Sequence, residues 1–283
     1  MEKYTENKLS IIIPTYNEAE NIVKLLKEII AALDNKNFEI IVVDDNSEDS
    51  TASKIGKNFK NEKKIKLIRR KQKRDLVQSI KLALQTITGS NFLVMDGDGQ
   101  HDPKDILSTI KLLKDNDLVI GTRNLKDIKS ISKIRIQLSK FFNLLANKIL
   151  KQKISDPLTG FFAGKIHLLN KKFFSINNSG FKVLLDLIFA NKNKSIKISE
   201  NTINFRTRKK GESKLDAGVF FSFITQIISY FFNGLVSSKF IGFIIIGGFG
   251  FLLHFVMIFY FLKMTKIDFI WCHLIATLIT STF

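Results

Sequence analysis

Two aspartates one residue apart stand directly after an apolar run, in Met95-Asp96-Gly97-Asp98-Gly99-Gln100-His101-Asp102-Pro103. Carboxylates at that spacing in a turn can share one hard divalent cation with phosphate oxygens, the usual way Mg2+ is held. Such a cation would neutralise a leaving diphosphate as its bond to a sugar breaks. Two other readings compete. An EF-hand calcium loop also begins Asp-x-Asp, but it needs Gly at its sixth position and Glu at its twelfth, where this chain has His101 and Leu107. A solvated acidic turn fits as well, and the motif alone leaves it open.

The elements around this motif give it a place. Leu9–Ile13 reads as a strand closed by Pro14-Thr15-Tyr16-Asn17-Glu18. Ile22, Leu25, Leu26, Ile29, Ile30 and Leu33 then mark one buried helix face. Asn17 and Glu20 have the spacing of a capping box for that helix. Phe38–Val43 is a second strand, ending in Val43-Asp44-Asp45-Asn46-Ser47-Glu48-Asp49-Ser50-Thr51, with a helix expected over Asp49–Phe59. Ile65–Ile68 is a third strand, Leu76, Ile80, Ala83, Leu84 and Ile87 mark another helix, and Phe92–Met95 and Leu118–Gly121 are further strands. This alternation implies an α/β fold with a mostly parallel sheet covered on both faces. Ligands of such sheets bind in loops at the carboxyl ends of strands, which is where each polar motif falls.

As an ordered set, these motifs resemble glycosyltransferase family 2. Within it they are most similar to the dolichol-phosphate mannosyltransferases and their bacterial polyprenyl-phosphate relatives, from about Lys8 to Leu215. The resemblance implies a nucleotide-binding, Rossmann-like (GT-A) domain with a mixed sheet, and inverting hexose transfer dependent on Mg2+ or Mn2+. It places Pro14, Tyr16 and Glu18 in the nucleotide pocket, with Val43 and Asp45 holding base and ribose, and makes Asp44 structural. Asp96, Gly97, Asp98 and Gln100 would surround metal and diphosphate, with Asp96, Asp98 and Gln100 as metal ligands. Arg123 falls at a donor contact and, with Asp96 and Asp98, in the catalytic set.

Phe205-x-x-Arg208-x-x-Gly211-x-Ser213-Lys214-Leu215 resembles the family's C-terminal motif, bringing Arg208 and Lys214 to the phosphates. A guanidinium suits bidentate phosphate binding, and an ammonium acts as a mobile point charge. Asp156-Pro157-Leu158-Thr159-Gly160-Phe161-Phe162 has a counterpart that shapes the pocket near the acceptor. Arg135 and Ser139 match the acceptor-phosphate contacts. Four apart on one helix face, they are placed to grip one phosphate. Without the resemblance, these read as a solvated arginine, a basic loop and an ordinary surface pair. The chain departs from the family after its third strand. A small, Gly-rich segment is usual there, and this chain has Lys73-Arg74-Asp75-Leu76.

The implied reaction is attack by a polyprenyl phosphate on a nucleotide-activated hexose, with GDP-mannose as first donor and UDP-glucose, onto undecaprenyl phosphate, as alternative. A hydroxyl acceptor would need a general base, whereas a phosphate monoester is already an anion near neutral pH. His101 is therefore not read as a base. Transfer to a hydroxyl would fall to Asp156 as base, and a non-catalytic membrane scaffold or transport component is the reading outside the enzymes.

Composition bounds the partners. A net charge of +18, from 44 Lys+Arg against 26 Asp+Glu, points to an anionic partner. The basic residues are scattered without a nucleic-acid motif, so anionic lipid headgroups are preferred to nucleic acid. One cysteine, Cys272, excludes an intramolecular disulfide framework. Met1–Ser10 lacks an apolar core, so no signal peptide is expected and a cytoplasmic catalytic domain is.

Ile131–Leu150 reads as an amphipathic helix flanked by Lys133, Arg135, Lys140 and Lys148, suited to packing on the sheet or to lying on a bilayer. Val219–Val236 is apolar but for Ser222, Thr225, Gln226, Ser229 and Asn233, read as an interfacial helix. Phe240–Leu262 carries no Asp, Glu, Lys or Arg and exceeds the roughly 20 apolar residues of a membrane span. Gly242, Gly247, Gly248 and Gly250 would let another helix approach it closely, and His254 is read as a packed polar residue. Phe269–Phe283 reads as the start of a second span cut short. Over Lys239–Phe283 the chain resembles the start of a small four-helix membrane family of lipid-linked sugar export and O-antigen modification. The expected organisation is a catalytic domain over 1–215, an interfacial helix over 216–238, and a multi-pass anchor in the cell membrane over 239–283.

Overall fold

The computed structural model describes residues 4–123, 144, 147, 154–157, 159–176, 183–206, 217–232, 234–265 and 267–281. The chain divides into two compact units, Met1–Phe223 and Ile224–Phe283.

The first unit is built on β1 (Thr5–Thr15), β2 (Phe38–Asp45), β3 (Ile65–Arg70), β4 (Gly89–Val94), β5 (Leu118–Arg123), β6 (Phe162–Lys165) and β7 (Ile198–Ile203). These make one sheet in the order β3-β2-β1-β4-β6-β5-β7. β6 runs antiparallel to its neighbours β4 and β5, and every other pairing is parallel. The helices are α1 (Ile22–Ala32), α2 (Thr51–Asn58), α3 (Leu76–Leu84), α4 (Asp105–Leu113), α5 (Lys171–Ser175) and α6 (Val183–Ala190). Ile11 to Ile13, Ile40 to Val43 and Phe92 to Met95 are fully or almost fully buried, as strands covered on both faces require.

The chain leaves β1 in one direction to build β2 and β3, then returns to lay β4 on the other side of β1. That reversal opens a crevice at the carboxyl ends of β1 and β4, where doubly wound sheets hold their ligands. The alternating elements were legible in the sequence. The antiparallel β6, the edge strand β7 and the buried α6 were not. β6 is four residues long, and α6 is buried all round, Asp186 included, so neither carries a clear period.

The expected capping box at α1 does not form. The helix starts at Ile22, one turn later, with no side-chain cap at Asn21. Asn17 has a left-handed φ of 54°, and its carboxamide accepts the Glu48 amide at 3.0 Å in the loop after β2.

Around the second unit's boundary runs α7 (Ala217–Phe231), followed by α8 (Ser238–Met264) and α9 (Phe269–Thr280). In the second half of α7 the polar stripe is buried, with Thr225, Gln226 and Ser229 at 3% exposure or less, while Phe231 and Phe232 are more than half exposed. Gln226 donates to the Tyr230 hydroxyl at 2.8 Å, and the Ser229 hydroxyl to the Val236 carbonyl at 2.6 Å.

α8 is the one helix among the described residues long and apolar enough to cross a membrane. The 12 residues of α9 fall short of a crossing, so a multi-pass anchor is not borne out. A Cβ at Gly247, Gly248 or Gly250 would meet nothing within 4 Å among the described residues. His254 does pack, its Nε2 lying 3.0 Å from His273 Nδ1 on α9.

Candidate active site

The polar motifs after β1, β2 and β4 converge on the carboxyl edge of the sheet. Asp44 is spent on its own turn, where its carboxylate accepts from the hydroxyls of Thr15 at 3.4 Å and Ser47 at 2.5 Å. Glu18 is buried, its amide bonded to Thr51 Oγ1 at 2.9 Å and its carboxylate to Asn21 Nδ2 at 2.9 Å. Asn17 and Glu18 thereby lock the loop after β1 to the loop after β2. Pro14, Tyr16, Val43 and Asp45 lie along the same edge.

Asp45 is tied to the loop after β3. Arg70 donates to one of its oxygens, and the Asp75 amide donates to the other at 2.7 Å. The same guanidinium reaches the Asp75 carbonyl and the Ser79 hydroxyl, each at 3.1 Å. Each Asp45 oxygen keeps a second lone pair able to accept a further donor such as a ribose hydroxyl. This explains how the loop folds without the family's small residues. Asp75 caps α3 by accepting the Gln78 amide at 3.2 Å, and Arg74 stacks on Tyr16 with its guanidinium carbon 4.0 Å from the ring centre.

After β4 the chain enters the Asp96–Gln100 turn. Gly97 is buried against the end of β1, where a Cβ would lie 2.9 Å from Thr15 Cγ2 and 3.2 Å from the Pro14 carbonyl. Gly160, in the segment leading into β6, backs onto Asp96, and a Cβ there would lie 2.7 Å from the Asp96 Oδ1. The Asp96 carboxylate is seated in the space that the missing side chain leaves. Asp98 turns one oxygen to the Gln100 amide at 3.0 Å. Among the described residues no group of three or more His, Cys, Asp or Glu side chains could hold a metal. Two carboxylates and a carboxamide in one half-buried turn are a set of oxygen donors of the kind that could hold Mg2+ or Mn2+ together with substrate phosphates. The residues present fit such an ion.

Sequence reasoning passed over the packing around this turn. His101 is buried, and its Nδ1 accepts the Asp96 amide at 3.3 Å. Arg206 spans Glu28 at 2.6 Å and Asp102 at 2.9 Å. Hydrogen bonding to Glu28 raises the Arg206 pKa; burial opposes this, and Asp102 reinforces it. Burial raises the Asp105 pKa, although its carboxylate accepts from the Asn204 amide at 2.7 Å and side chain at 3.0 Å. The links of Arg206 to Glu28 and of Asn204 to Asp105 span 178 and 99 residues, beyond the reach of any local sequence signal.

Arg123 closes β5 at the same edge, its backbone paired with Ile203 of β7. Arg135, Ser139, Arg208 and Lys214 lie outside the described residues, as does most of the helix expected over 131–150. Asp156, the alternative base, belongs to a segment tethered to β7 by Ser155, whose hydroxyl donates to Glu200 at 2.7 Å.

The profile of "Glycosyl transferase family 2" matches residues 10–175, more than half of the 283-residue chain. The chain belongs to glycosyl transferase family 2. Its similarity to "Dolichol-phosphate mannosyltransferase" of Pyrococcus furiosus is 34% identity over 78% of this chain and 62% of that protein, so the match spans less than two thirds of that relative. The proteins of the same name from Mycosarcoma maydis and Saccharomyces cerevisiae are 29% and 28% identical, over 78% and 77% of this chain and 78% and 85% of theirs. Glucosyl-3-phosphoglycerate synthase from Mycobacterium tuberculosis, solved with Mn2+, uridine-diphosphate and glucosyl-3-phosphoglycerate, superposes with a TM-score of 0.60. It is 16% identical over 78% of this chain and 80% of that one, which shows the fold alone. That enzyme has also been solved with Mg2+ and uridine-diphosphate, at a TM-score of 0.58 and 15% identity over 78% of this family-2 chain and 79% of that one.

Proposed function

We propose that this chain transfers a hexose, with mannose from GDP-mannose as first choice, to the phosphate of a polyprenyl lipid. The observation that carries the reading is the Asp96–Gln100 turn at the β1/β4 crevice, with Asp96 backed by Gly160 and Asp98 bonded to the Gln100 amide, in a chain similar to dolichol-phosphate mannosyltransferases. Asp96, Asp98 and Gln100 would hold Mg2+ or Mn2+, which neutralises diphosphate charge when bound. Pro14, Tyr16, Glu18, Val43 and Asp45 line the nucleotide side.

An acceptor phosphate oxygen forms the new bond to the anomeric carbon as the bond from that carbon to the diphosphate breaks. The leaving group takes the electron pair as a nucleoside diphosphate, and the configuration inverts. No residue need take a proton from the acceptor, since the phosphate monoester is already anionic. Arg123, Arg208 and Lys214 would offset phosphate charge on the donor, and Arg135 and Ser139 would grip the acceptor phosphate. α8 exposes Phe243, Phe249, Phe251, Phe255 and Phe259, which supports membrane association beside a lipid acceptor.

The test is transfer by the purified chain in detergent, with Mn2+ and polyprenyl phosphate, from GDP-mannose and from UDP-glucose. Lipid-linked hexose from the first donor is expected. Product from UDP-glucose alone would move the chain to the glucosyl branch, and absence of product from either would overturn the reading. Arg135→Ala should cut kcat/KM for the lipid about ten- to a hundredfold, with nucleotide affinity unchanged.

A further inference from the structure

The turn carrying Asp96 and Asp98 is gripped by residues that the reaction itself does not use. His101 is 3% exposed, and its Nδ1 accepts the Asp96 amide at 3.3 Å, which requires that ring nitrogen to be bare. The imidazole meets Phe161 and Phe205 edge to face, with ring centres 5.2 and 5.6 Å away. His101 and Phe205 also form an antiparallel backbone bridge, and the Arg206 amide donates to the Gln100 carbonyl at 2.8 Å. The Arg206 guanidinium then ties Asp102 at 2.9 Å to Glu28 of α1 at 2.6 Å. The chain leaving β7 is thus fastened, by main chain and side chain, to the three residues that follow Gly99.

We propose that His101, Phe205 and Arg206 form a positioning clasp, which fixes the Asp96–Asp98 turn for a divalent cation. The proposal rests on the reading of Asp96 and Asp98 as ligands of that cation. Its physical basis is tolerance: carboxylates must be held within about 0.5 Å to coordinate well, and a turn holding Gly97 and Gly99 does not supply that stiffness alone. The clasp supplies it from outside. None of the three touches the reacting atoms.

The experiment uses the full chain in detergent and follows Mn2+-dependent binding of GDP and of UDP by calorimetry, with thermal melting alongside. His101→Phe keeps a ring and removes the acceptor, and His101→Asn restores an acceptor close to the position of Nδ1. Arg206→Met, at a partly exposed position, breaks the two ion pairs and keeps the backbone. His101→Phe and Arg206→Met should each raise the Mn2+ concentration for half-maximal nucleotide binding by roughly tenfold, with metal-free nucleotide binding little changed. His101→Asn should recover most of that shift. A merely structural role predicts a lower melting temperature with an unmoved Mn2+ midpoint and no rescue by Asn, and that outcome overturns the clasp. Should His101→Phe fail to fold, an unshifted midpoint in folded Arg206→Met overturns it equally. A wild-type chain that binds both nucleotides without regard to Mn2+ would remove the metal reading and the clasp with it. Shifted variants against a Mn2+-dependent wild type support both.

Discussion

The two ends of the sheet carry the same kinds of side chain and use them differently. At the amino end, Glu39 of β2 accepts from the Ser10 hydroxyl at 2.5 Å, the Thr88 amide at 2.7 Å and the Thr88 hydroxyl at 2.9 Å, with Lys8 at 3.4 Å. That network closes on itself and ties β1, β2 and the start of β4 together. At the carboxyl end, Asp44 is likewise spent on the fold and Asp45 is tied to Arg70 and the Asp75 amide, while Asp96 and Asp98 are held in a turn at the crevice. Charge near an edge is therefore not the signal of a site. Chain direction supplies the asymmetry, since carboxyl ends of parallel strands lead into turns and helix N-termini whose amides favour anions.

The sharpest way to break this comparison is Asp98→Asn, which removes a charge and keeps the shape. Transfer should fall roughly a thousandfold while the melting temperature stays within a few degrees. Asp96→Asn should behave alike, and near-normal turnover by both would show the carboxyl edge to be as structural as the amino edge. Arg70→Met tests a carboxyl-edge residue spent on packing. It leaves the buried Asp45 carboxylate without its cation, so denaturant unfolding should show a loss of about 3 kcal/mol. Stability equal to wild type would dissolve the distinction drawn between Asp45 and Asp98.

Gly160→Ala is smaller and more pointed. The added methyl would crowd the Asp96 carboxylate, and kcat should drop about tenfold in Mn2+ with nucleotide affinity nearly unchanged. A full rate would mean that the turn yields freely.

The smallest effect belongs to the amino edge. Burial raises the Glu39 pKa, but hydrogen bonds from Ser10 and Thr88, with Lys8, outweigh it and hold the carboxyl below its ordinary value. A depressed folded pKa adds stability above the unfolded value of about 4.3, and that stability is lost as pH falls through the folded value. Glu39→Gln should therefore cost on the order of 1 kcal/mol at pH 7, a difference that shrinks below about pH 4, and leave kinetics at pH 7 untouched. A catalytic defect in this variant would show that the two edges are coupled.

Several parts of this protein were settled by the sequence alone. Strands such as Ile11–Ile13 and Ile40–Val43 are apolar runs bounded by polar turns, and α1 repeats its apolar face every turn, so local period specified element and order. The ordered motifs at Pro14, Val43 and Asp96 were enough to reach the family, because each sits just after a strand, where the fold puts ligands. α8 was legible for the same local reason, being long, apolar and flanked by Lys239 and Lys263. Tertiary structure alone decided what holds each carboxylate at this edge. Asp44, Asp45, Asp96 and Asp98 look alike in sequence; Arg70, Ser47, Gly160 and His101 sort them, and those partners arrive from distant strands and loops. The inward polar stripe of α7 and the pairing of His254 with His273 have the same origin. A periodic pattern says that a face exists, and only the neighbours brought by folding say what covers it.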